Sequence, residues 1–154
     1  KLFEISQCDI AIFGQKDYQQ TLVIKRMIID LNLPVQMIVC PTMREPNGLA
    51  MSSRNRYMSD EEREKASIIF LALEEAKKTI AHGERRRKMI NSTILSILRT
   101  VPEIKVDYIN TARADTLETP DEFFPGEEIV MLVAVYIGRI RLIDNAIIKI
   151  PSQL

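Results

Sequence analysis

The order of three segments near the start of the chain limits its fold more than any other feature of the sequence. Residues 9–13 form a short apolar run that is stopped by Gly14, and residues 35–39 form a second such run. Between them, residues 17–30 carry apolar side chains at helical spacing. Short apolar runs are typical of strands covered on both faces of a parallel sheet, and a helix crosses between parallel strands. The pattern therefore predicts one βαβ unit.

Two helices are predicted in the middle of the chain. Ser59 and Glu62 have the spacing of a capping box, in which each side chain accepts a hydrogen bond from the backbone N–H of the other residue. We expect one continuous helix from there to Gly83, because an apolar stripe runs through Ala66, Ile69, Phe70, Leu73, Ala76 and Ile80. A second helix is expected from about Arg86 to Pro102, which cannot continue it. Together the two predict a helical hairpin.

Strand patterns dominate the last third of the chain. Apolar and polar residues alternate at 104–108 and 139–142, and residues 129–137 form a continuous apolar run. Gly138 marks a reversal of the chain, and residues 146–150 are a candidate for one more strand. We therefore expect a small sheet that is largely antiparallel.

These patterns divide the chain into two expected domains. Residues 1–55 would form the end of an α/β domain, and residues 56–154 would form an α+β domain with a helical hairpin and a small antiparallel sheet. Two parallel strands are too few for a stable sheet, so we expect the first domain to be truncated. The chain begins with Lys1 rather than Met, which favours the interpretation that it is a fragment.

Composition argues against partners that are held by overall charge. The 21 basic and 21 acidic side chains cancel, so no global field would draw the chain to nucleic acid or to an anionic membrane. Cys8 and Cys40 lack the spacing of a zinc site or a disulfide framework, and we expect two buried free thiols in a cytoplasmic protein. The apolar run at 129–137 is too short to cross a membrane as a helix. His82, beside Gly83, is expected at a solvated helix end rather than as a catalytic base.

The first group of candidate functional residues follows the first strand. Gly14 would let the backbone approach a ligand, and the next helix offers free amide groups to an anion. Lys16 adds a full positive charge, Asp17 would either accept from ribose hydroxyls or cap the helix, and Gln20 lies one turn further on. The alternative is a capped helix with a surface lysine. A single Gly-x-Lys loop does not decide between the two.

The second group is the polar stretch at residues 41–55, which follows the second strand. Ser52, Ser53 and Arg54 place two hydroxyls beside a guanidinium, a set of donors suited to phosphate oxygens. The alternative is an Asn47-Gly48 turn with a solvated arginine. Carboxyl ends of parallel strands share one sheet edge, where ligands of α/β sheets bind, so two such groups together favour the functional interpretation.

These two groups also resemble the pantothenate synthetase family in order and spacing. The resemblance rests on FGQKDYQQ at 13–20, PTMRE at 41–45 and GLAMSSRN at 48–55, and it continues in DYI at 107–109 and RLIDN at 141–145. It implies the last βαβ unit of a Rossmann-like nucleotidyl transferase sheet, followed by an α+β lid domain. The implied reaction condenses pantoate with β-alanine through a pantoyl adenylate, uses ATP with Mg²⁺, and serves pantothenate biosynthesis in a homodimeric enzyme.

The resemblance also implies roles for particular residues. Lys16 and Arg54 would meet on one triphosphate, Asp17 would face the ribose, Met43 would contact the adenine through its backbone, and Gln20 would bind pantoate. The implied ATP-binding set is Gly14, Gln15, Lys16, Asp17, Met43, Met51, Ser52, Ser53 and Arg54, of which Lys16, Ser52, Ser53 and Arg54 would also be catalytic. No metal-ligating residue is implied.

One signature of the family is missing from this sequence. The His-x-Gly-His motif that binds ATP phosphates in the family does not occur, so the chain by itself is expected to be inactive. Two alternatives remain open: a related nucleotidyl transferase that acts on another carboxylic acid, and a non-catalytic folding or interaction module.

Overall fold

The computed structural model describes residues 1–152 and divides into two compact units, Lys1–Thr42 and the residues from Met43 onward. The domain boundary expected near residue 55 remains a prediction. Among residues 1–152, no helix combines the length and the apolar character needed to span a membrane. The helices are α1 (Leu2–Ser6), α2 (Tyr18–Asp30), α3 (Asp60–Ala66), α4 (Ile68–Ala81) and α5 (Arg87–Leu98), and the strands are β1 (Ile10–Gly14), β2 (Gln36–Cys40), β3 (Ile104–Arg113), β4 (Glu128–Ile137) and β5 (Ile140–Lys149).

The first unit is the predicted βαβ unit. β1 and β2 pair in parallel, with Ile10 opposite Gln36 and Gly14 opposite Cys40, so both strands end at the same edge. A short 3₁₀ helix leads from β1 into α2. The sequence prediction of strand, helix and strand is confirmed.

In this chain the strands of the first unit are not covered on both faces, although their apolar character is typical of strands that are. Ile12 on β1 is 67% exposed, and Val23 on α2 and Leu31, which follows α2, are also exposed. The prediction that both cysteines are buried is wrong, because Cys40 is exposed and Cys8 is only partly buried, although both are free thiols. A two-stranded sheet with one crossover helix cannot cover every face of its strands, so apolar side chains remain in contact with solvent.

The helices of the second unit begin at the predicted capping box. The Glu62 N–H donates to the Ser59 hydroxyl at 3.1 Å, and the Ser59 N–H donates to the Glu62 carboxylate at 2.9 Å. The expected continuous helix is interrupted at Ser67, whose N–H and hydroxyl both donate to the Glu64 carbonyl. A serine that bonds back to the preceding turn competes with the regular helical hydrogen bonds, which explains the break between α3 and α4.

The second unit has its core between α4, α5 and one three-stranded sheet. The sheet has the order β3-β4-β5 with both pairs antiparallel, which confirms the predicted topology. Gly138 adopts a left-handed φ of 56° in the tight turn between β4 and β5. β5 continues unbroken to Lys149, so residues 146–150 do not form a separate strand. The core cluster includes five members of the predicted helical stripe, namely Ala66, Ile69, Leu73, Ala76 and Ile80, together with Ile90, Ile94 and Leu98 of α5. Phe70, which was also predicted in the stripe, is only partly buried.

Candidate functional site

The first candidate loop lies at the carboxyl end of β1, as predicted. Gln15, Lys16 and Asp17 form the 3₁₀ helix, in which Gln15 and Lys16 are partly buried and Asp17 is exposed. Asp17 precedes α2 without making a side-chain capping bond, so the alternative of a helix-capping aspartate is not observed. Gln20 is exposed on the first turn of α2. The loop thus presents a cation, a carboxylate and an amide.

Gly14 occupies an open position at the start of this loop. Its φ of −86° is accessible to any residue, so the backbone conformation does not require glycine. A Cβ atom added there would meet nothing within 4 Å. The role expected for Gly14, close approach of a ligand to the backbone, therefore stays a prediction, and the space it needs is present.

The second candidate loop begins with a small hairpin at residues 43–51. The Met51 N–H donates to the Met43 carbonyl at 2.8 Å, and the Gly48 N–H donates to the Glu45 carbonyl at 2.8 Å. The Asn47 side-chain oxygen accepts from the backbone two residues further on, as turn-forming asparagines do. The predicted Asn47-Gly48 turn is therefore present, and it brings the two methionines to adjacent positions.

Arg44 ties this hairpin to the core of the second unit. Its guanidinium donates to both carboxylate oxygens of Asp144, at 2.6 and 3.1 Å, and to the Gly48 carbonyl at 3.0 Å. The same group lies 4.7 Å from the centre of the Phe70 ring. The Asp144 side chain is 3% exposed, so this is a largely buried, bidentate ion pair. Arg44 is therefore a structural residue of the loop.

Glu45 and Asn55 join two separate parts of the polar stretch. One Glu45 carboxylate oxygen accepts from the Asn55 amide at 2.7 Å and from Arg63 at 3.2 Å. The Asn55 amide also donates to the Ala50 carbonyl at 3.3 Å. Asn55 is buried, and these hydrogen bonds pair its amide nitrogen there. Glu45 and Asn55 therefore stabilise the fold of the loop.

The proposed ligand-binding residues of the stretch are its more exposed members, whereas Gly48, Leu49 and Ala50 are buried. Met43 is 71% exposed, Met51, Ser53 and Arg54 are also exposed, and Ser52 is partly exposed. The Ser52 hydroxyl accepts from the Arg54 N–H at 3.2 Å and caps the 3₁₀ helix Ser53–Tyr57. No hydrogen bond or ion pair engages the Arg54 guanidinium among residues 1–152. The structure therefore separates the motif into an anchoring set and an exposed set, and the exposed set contains the predicted site residues.

Sequence reasoning missed the partners that hold the loop. Asp144 lies 100 positions from Arg44 along the chain, and Arg63 and Phe70 belong to predicted helices. One sequence signal was available for Asp144, namely a carboxylate between two largely apolar segments, because a buried carboxylate requires a partner. That signal gives no indication of which arginine pairs with it.

His82 and Glu84 of the second unit also have contacts that the structure defines. His82 is exposed at the end of α4 and its ring lies 2.7 Å from the Lys78 carbonyl, so the prediction of a solvated helix end is confirmed. Hydrogen bonds from Arg86 lower the pKa of Glu84 to about 2. In the described part of the chain, His, Cys, Asp and Glu side chains do not gather in a group of three or more that could hold a metal ion.

Comparison with known proteins identifies relatives over nearly the whole chain. The model of the pantoate-beta-alanine ligase family matches residues 1–147. Pantothenate synthetase from Moorella thermoacetica is 44% identical over 150 residues, which cover 97% of this chain and 52% of the relative. Pantothenate synthetase from Acetivibrio thermocellus is 47% identical over 150 residues, which cover 97% of this chain and 53% of the relative.

Solved structures agree with these relatives. The crystal structure of pantothenate synthetase from Thermus thermophilus is 37% identical with a TM-score of 0.87, and the match covers 97% of this chain and 52% of that one. Pantoate-beta-alanine ligase from Francisella tularensis, complexed with beta-gamma ATP and beta-alanine, is 28% identical with a TM-score of 0.60, covering 94% and 46%. The chain thus spans about half the length of the curated relatives that it matches. By this likeness in sequence and fold, the chain belongs to the pantoate-beta-alanine ligase family.

Proposed function

We propose that this chain supplies ATP-handling residues to a ligase that joins pantoate to β-alanine. In that reaction the pantoate carboxylate attacks the α-phosphorus of ATP, pyrophosphate leaves, and the amine of β-alanine then displaces AMP from the pantoyl adenylate. Family membership and the ATP complex of the Francisella tularensis relative support ATP as a substrate. Support for the acid and the amine comes from the family name and from β-alanine in the same complex.

Lys16 and Arg54 are the proposed electrostatic groups of the reaction. Negative charge grows on the phosphate oxygens and on the departing pyrophosphate in the transition state. Cations held beside those oxygens stabilise the transition state more than the ground state. Ser52 and Ser53 would add hydroxyl donors next to Arg54. None of these side chains needs to form a covalent bond with the substrate.

The remaining site residues would bind and orient the substrates. Asp17 accepts from ribose hydroxyls in this proposal, and Gln20 binds pantoate. The backbone at Met43 contacts the adenine, while Met51 and the amides of Gly14 and Gln15 border the nucleotide. In this proposal Mg²⁺ is carried by the phosphates of ATP.

One observation carries this proposal: the exposed members of the polar stretch coincide with the proposed ligand-binding residues. Arg44, Glu45 and Asn55 are used by the fold, whereas Ser53 and Arg54 extend into solvent from a loop that is held at both ends. The exposed hydroxyls and guanidinium follow a hairpin that is fixed by contacts to the core, which is an arrangement suited to a ligand-binding loop. This arrangement favours a binding loop over a non-catalytic module.

Titration of the 154-residue chain with MgATP tests the binding part of the proposal. We expect Lys16→Met and Arg54→Met each to weaken binding by about tenfold or more, because each removes a charge-assisted contact to phosphate. Lys25→Met and Arg56→Met are matched controls, since Lys25 is exposed on α2 and Arg56 is exposed on the 3₁₀ helix of Arg54. Equal losses in the controls would show that general surface charge, rather than a site, holds the nucleotide.

An activity assay tests the expectation that the chain alone is inactive. Purified chain is incubated with MgATP, pantoate and β-alanine, and pantothenate and AMP are measured. We expect no product above background, because the family's His-x-Gly-His signature is absent from this sequence. Product formation by the purified chain would contradict that expectation.

A further inference from the structure

The polar stretch contains two arginines, and the proposed function places only Arg54, not Arg44, at the substrate. A guanidinium next to a phosphate-binding loop has two possible uses. It either binds phosphate itself or fixes the residues that do. If Arg44 binds phosphate, its charge should lack a partner within the protein. If Arg44 fixes other residues, its charge should already be paired, and its contacts show which case applies.

The positive charge of Arg44 is matched by Asp144. Two hydrogen bonds, at 2.6 and 3.1 Å, join the planar guanidinium to both carboxylate oxygens, which is the strongest geometry available to this pair. The Arg44 side chain is only 23% exposed. Moving Arg44 to a phosphate would leave a buried, unpaired carboxylate on β5, at a large energetic cost.

The same guanidinium also determines the shape of the hairpin. It donates to the Gly48 carbonyl at 3.0 Å and lies over the Phe70 ring, so it contacts the hairpin turn, α4 and β5 at once. The hairpin ends at Met51, and it is followed by the partly exposed Ser52 and the exposed Ser53 and Arg54. A displacement of the hairpin would therefore displace the hydroxyls and the guanidinium that follow it.

We propose that the Arg44–Asp144 ion pair is a positioning device, which holds the hairpin so that residues 51–54 keep the geometry required to bind polyphosphate, while Arg44 itself does not bind the nucleotide. This inference rests on the proposed function, because it assigns a support to the same loop. It makes Asp144, distant in sequence and without any contact to the nucleotide, a determinant of ATP affinity.

The Asp144→Asn variant of the 154-residue chain separates the two uses of Arg44 by the sign of its effect. If Arg44 positions the loop, the variant loosens the hairpin and weakens MgATP binding by about tenfold, since small displacements of binding groups are costly. If Arg44 binds phosphate, the variant frees a positive charge and strengthens MgATP binding. Calorimetric titration measures both outcomes, and unchanged or tighter binding overturns the proposal.

Hydrogen exchange provides a readout that does not depend on nucleotide. In Asp144→Asn, the amides of Met51 and Gly48 should exchange about tenfold faster or more, while amides of β4, which report opening of the whole unit, change less. The matched control is Asp107→Asn, which removes a second arginine–aspartate pair, with Arg141, on the exposed part of the sheet. Rates at Met51 and Gly48 that equal those of this control overturn the proposal.

These two measurements distinguish failure of the inference from failure of the proposed function. If the unaltered chain does not bind MgATP, the proposed function fails for this chain, and the exchange rates still decide whether the ion pair holds the hairpin. If Asp144→Asn does not fold, Arg44→Lys takes its place. An ammonium group cannot bridge Asp144, Gly48 and Phe70 together, so smaller changes in the same directions are expected, and wild-type values overturn the proposal.

Discussion

Replacement of Gly48 by alanine provides the sharpest test of the hairpin geometry. Gly48 has a left-handed φ of 91°, which costs an alanine about 1–2 kcal/mol. A Cβ atom at this position would lie 2.2 Å from Cδ1 of Phe70 and 2.7 Å from Cγ, so the ring or the backbone must shift. Overpacking of this kind costs about 1–3 kcal/mol. We expect Gly48→Ala to lower the free energy of unfolding by about 2–5 kcal/mol in total.

Two further variants separate the backbone cost from the steric cost. Gly126 has a φ of 85° and open space around the missing Cβ, so Gly126→Ala should show the backbone cost alone, about 1–2 kcal/mol. In a Phe70→Ala background, Gly48→Ala should fall to about the same value, because the clashing ring has been removed.

Urea denaturation followed by circular dichroism measures each free energy of unfolding. The steric reasoning is refuted if Gly48→Ala costs the same with and without the Phe70 ring. A cost for Gly48→Ala no larger than that of Gly126→Ala leads to the same conclusion.

Three other predictions concern the second unit. Ser59→Ala should lower the free energy of unfolding by about 1 kcal/mol, because one half of the capping box is lost. Leu73→Ala should lower the free energy of unfolding by about 2–5 kcal/mol, because Leu73 is buried. Leu71→Ala on the same helix should lower it far less, because the Leu71 side chain is 52% exposed. Similar losses for the two variants would contradict the burial of the α4 stripe. Arg86 lowers the pKa of Glu84 from 4.5 to about 2, so the stability due to ionised Glu84 is present above pH 4.5 and is lost as the pH falls toward 2. Glu84→Gln should therefore lose less stability than the unaltered chain between pH 5 and pH 2, which denaturation at several pH values would show.

Local patterns were sufficient for most of the fold. The capping box at Ser59 and Glu62 and the reversal at Gly138 depend on backbone chemistry within a few residues, and both were predicted correctly. The break at Ser67 was not predicted, because the apolar stripe runs through it without a change of period. The prediction of a separate strand at 146–150 was wrong, because the alternation of apolar and polar residues does not reveal where a long strand ends.

Burial in the first unit could not be read from composition. Apolar residues such as Ile12 and Val23 predict a covered position, yet coverage depends on which other elements are present to pack on them. Cys40 was expected in the core for the same reason and lies exposed at the end of β2. Residue type gives a preference for burial, but the elements that pack against a residue determine whether it is buried.

The sequence by itself indicated the family, the βαβ unit, the helical region and the largely antiparallel sheet, and it proposed the candidate residues from Gly14 to Arg54. These depend on residue identity and on short spacings, which are visible without coordinates. Only the tertiary structure decided which polar residues of the second loop hold the fold and which face solvent. That division depends on partners such as Asp144 and Arg63, which folding brings to Arg44 and Glu45 from distant parts of the chain. A charged side chain that is paired in this way stabilises the fold. Its partner is distant in the sequence, so no local sequence pattern identifies the pair.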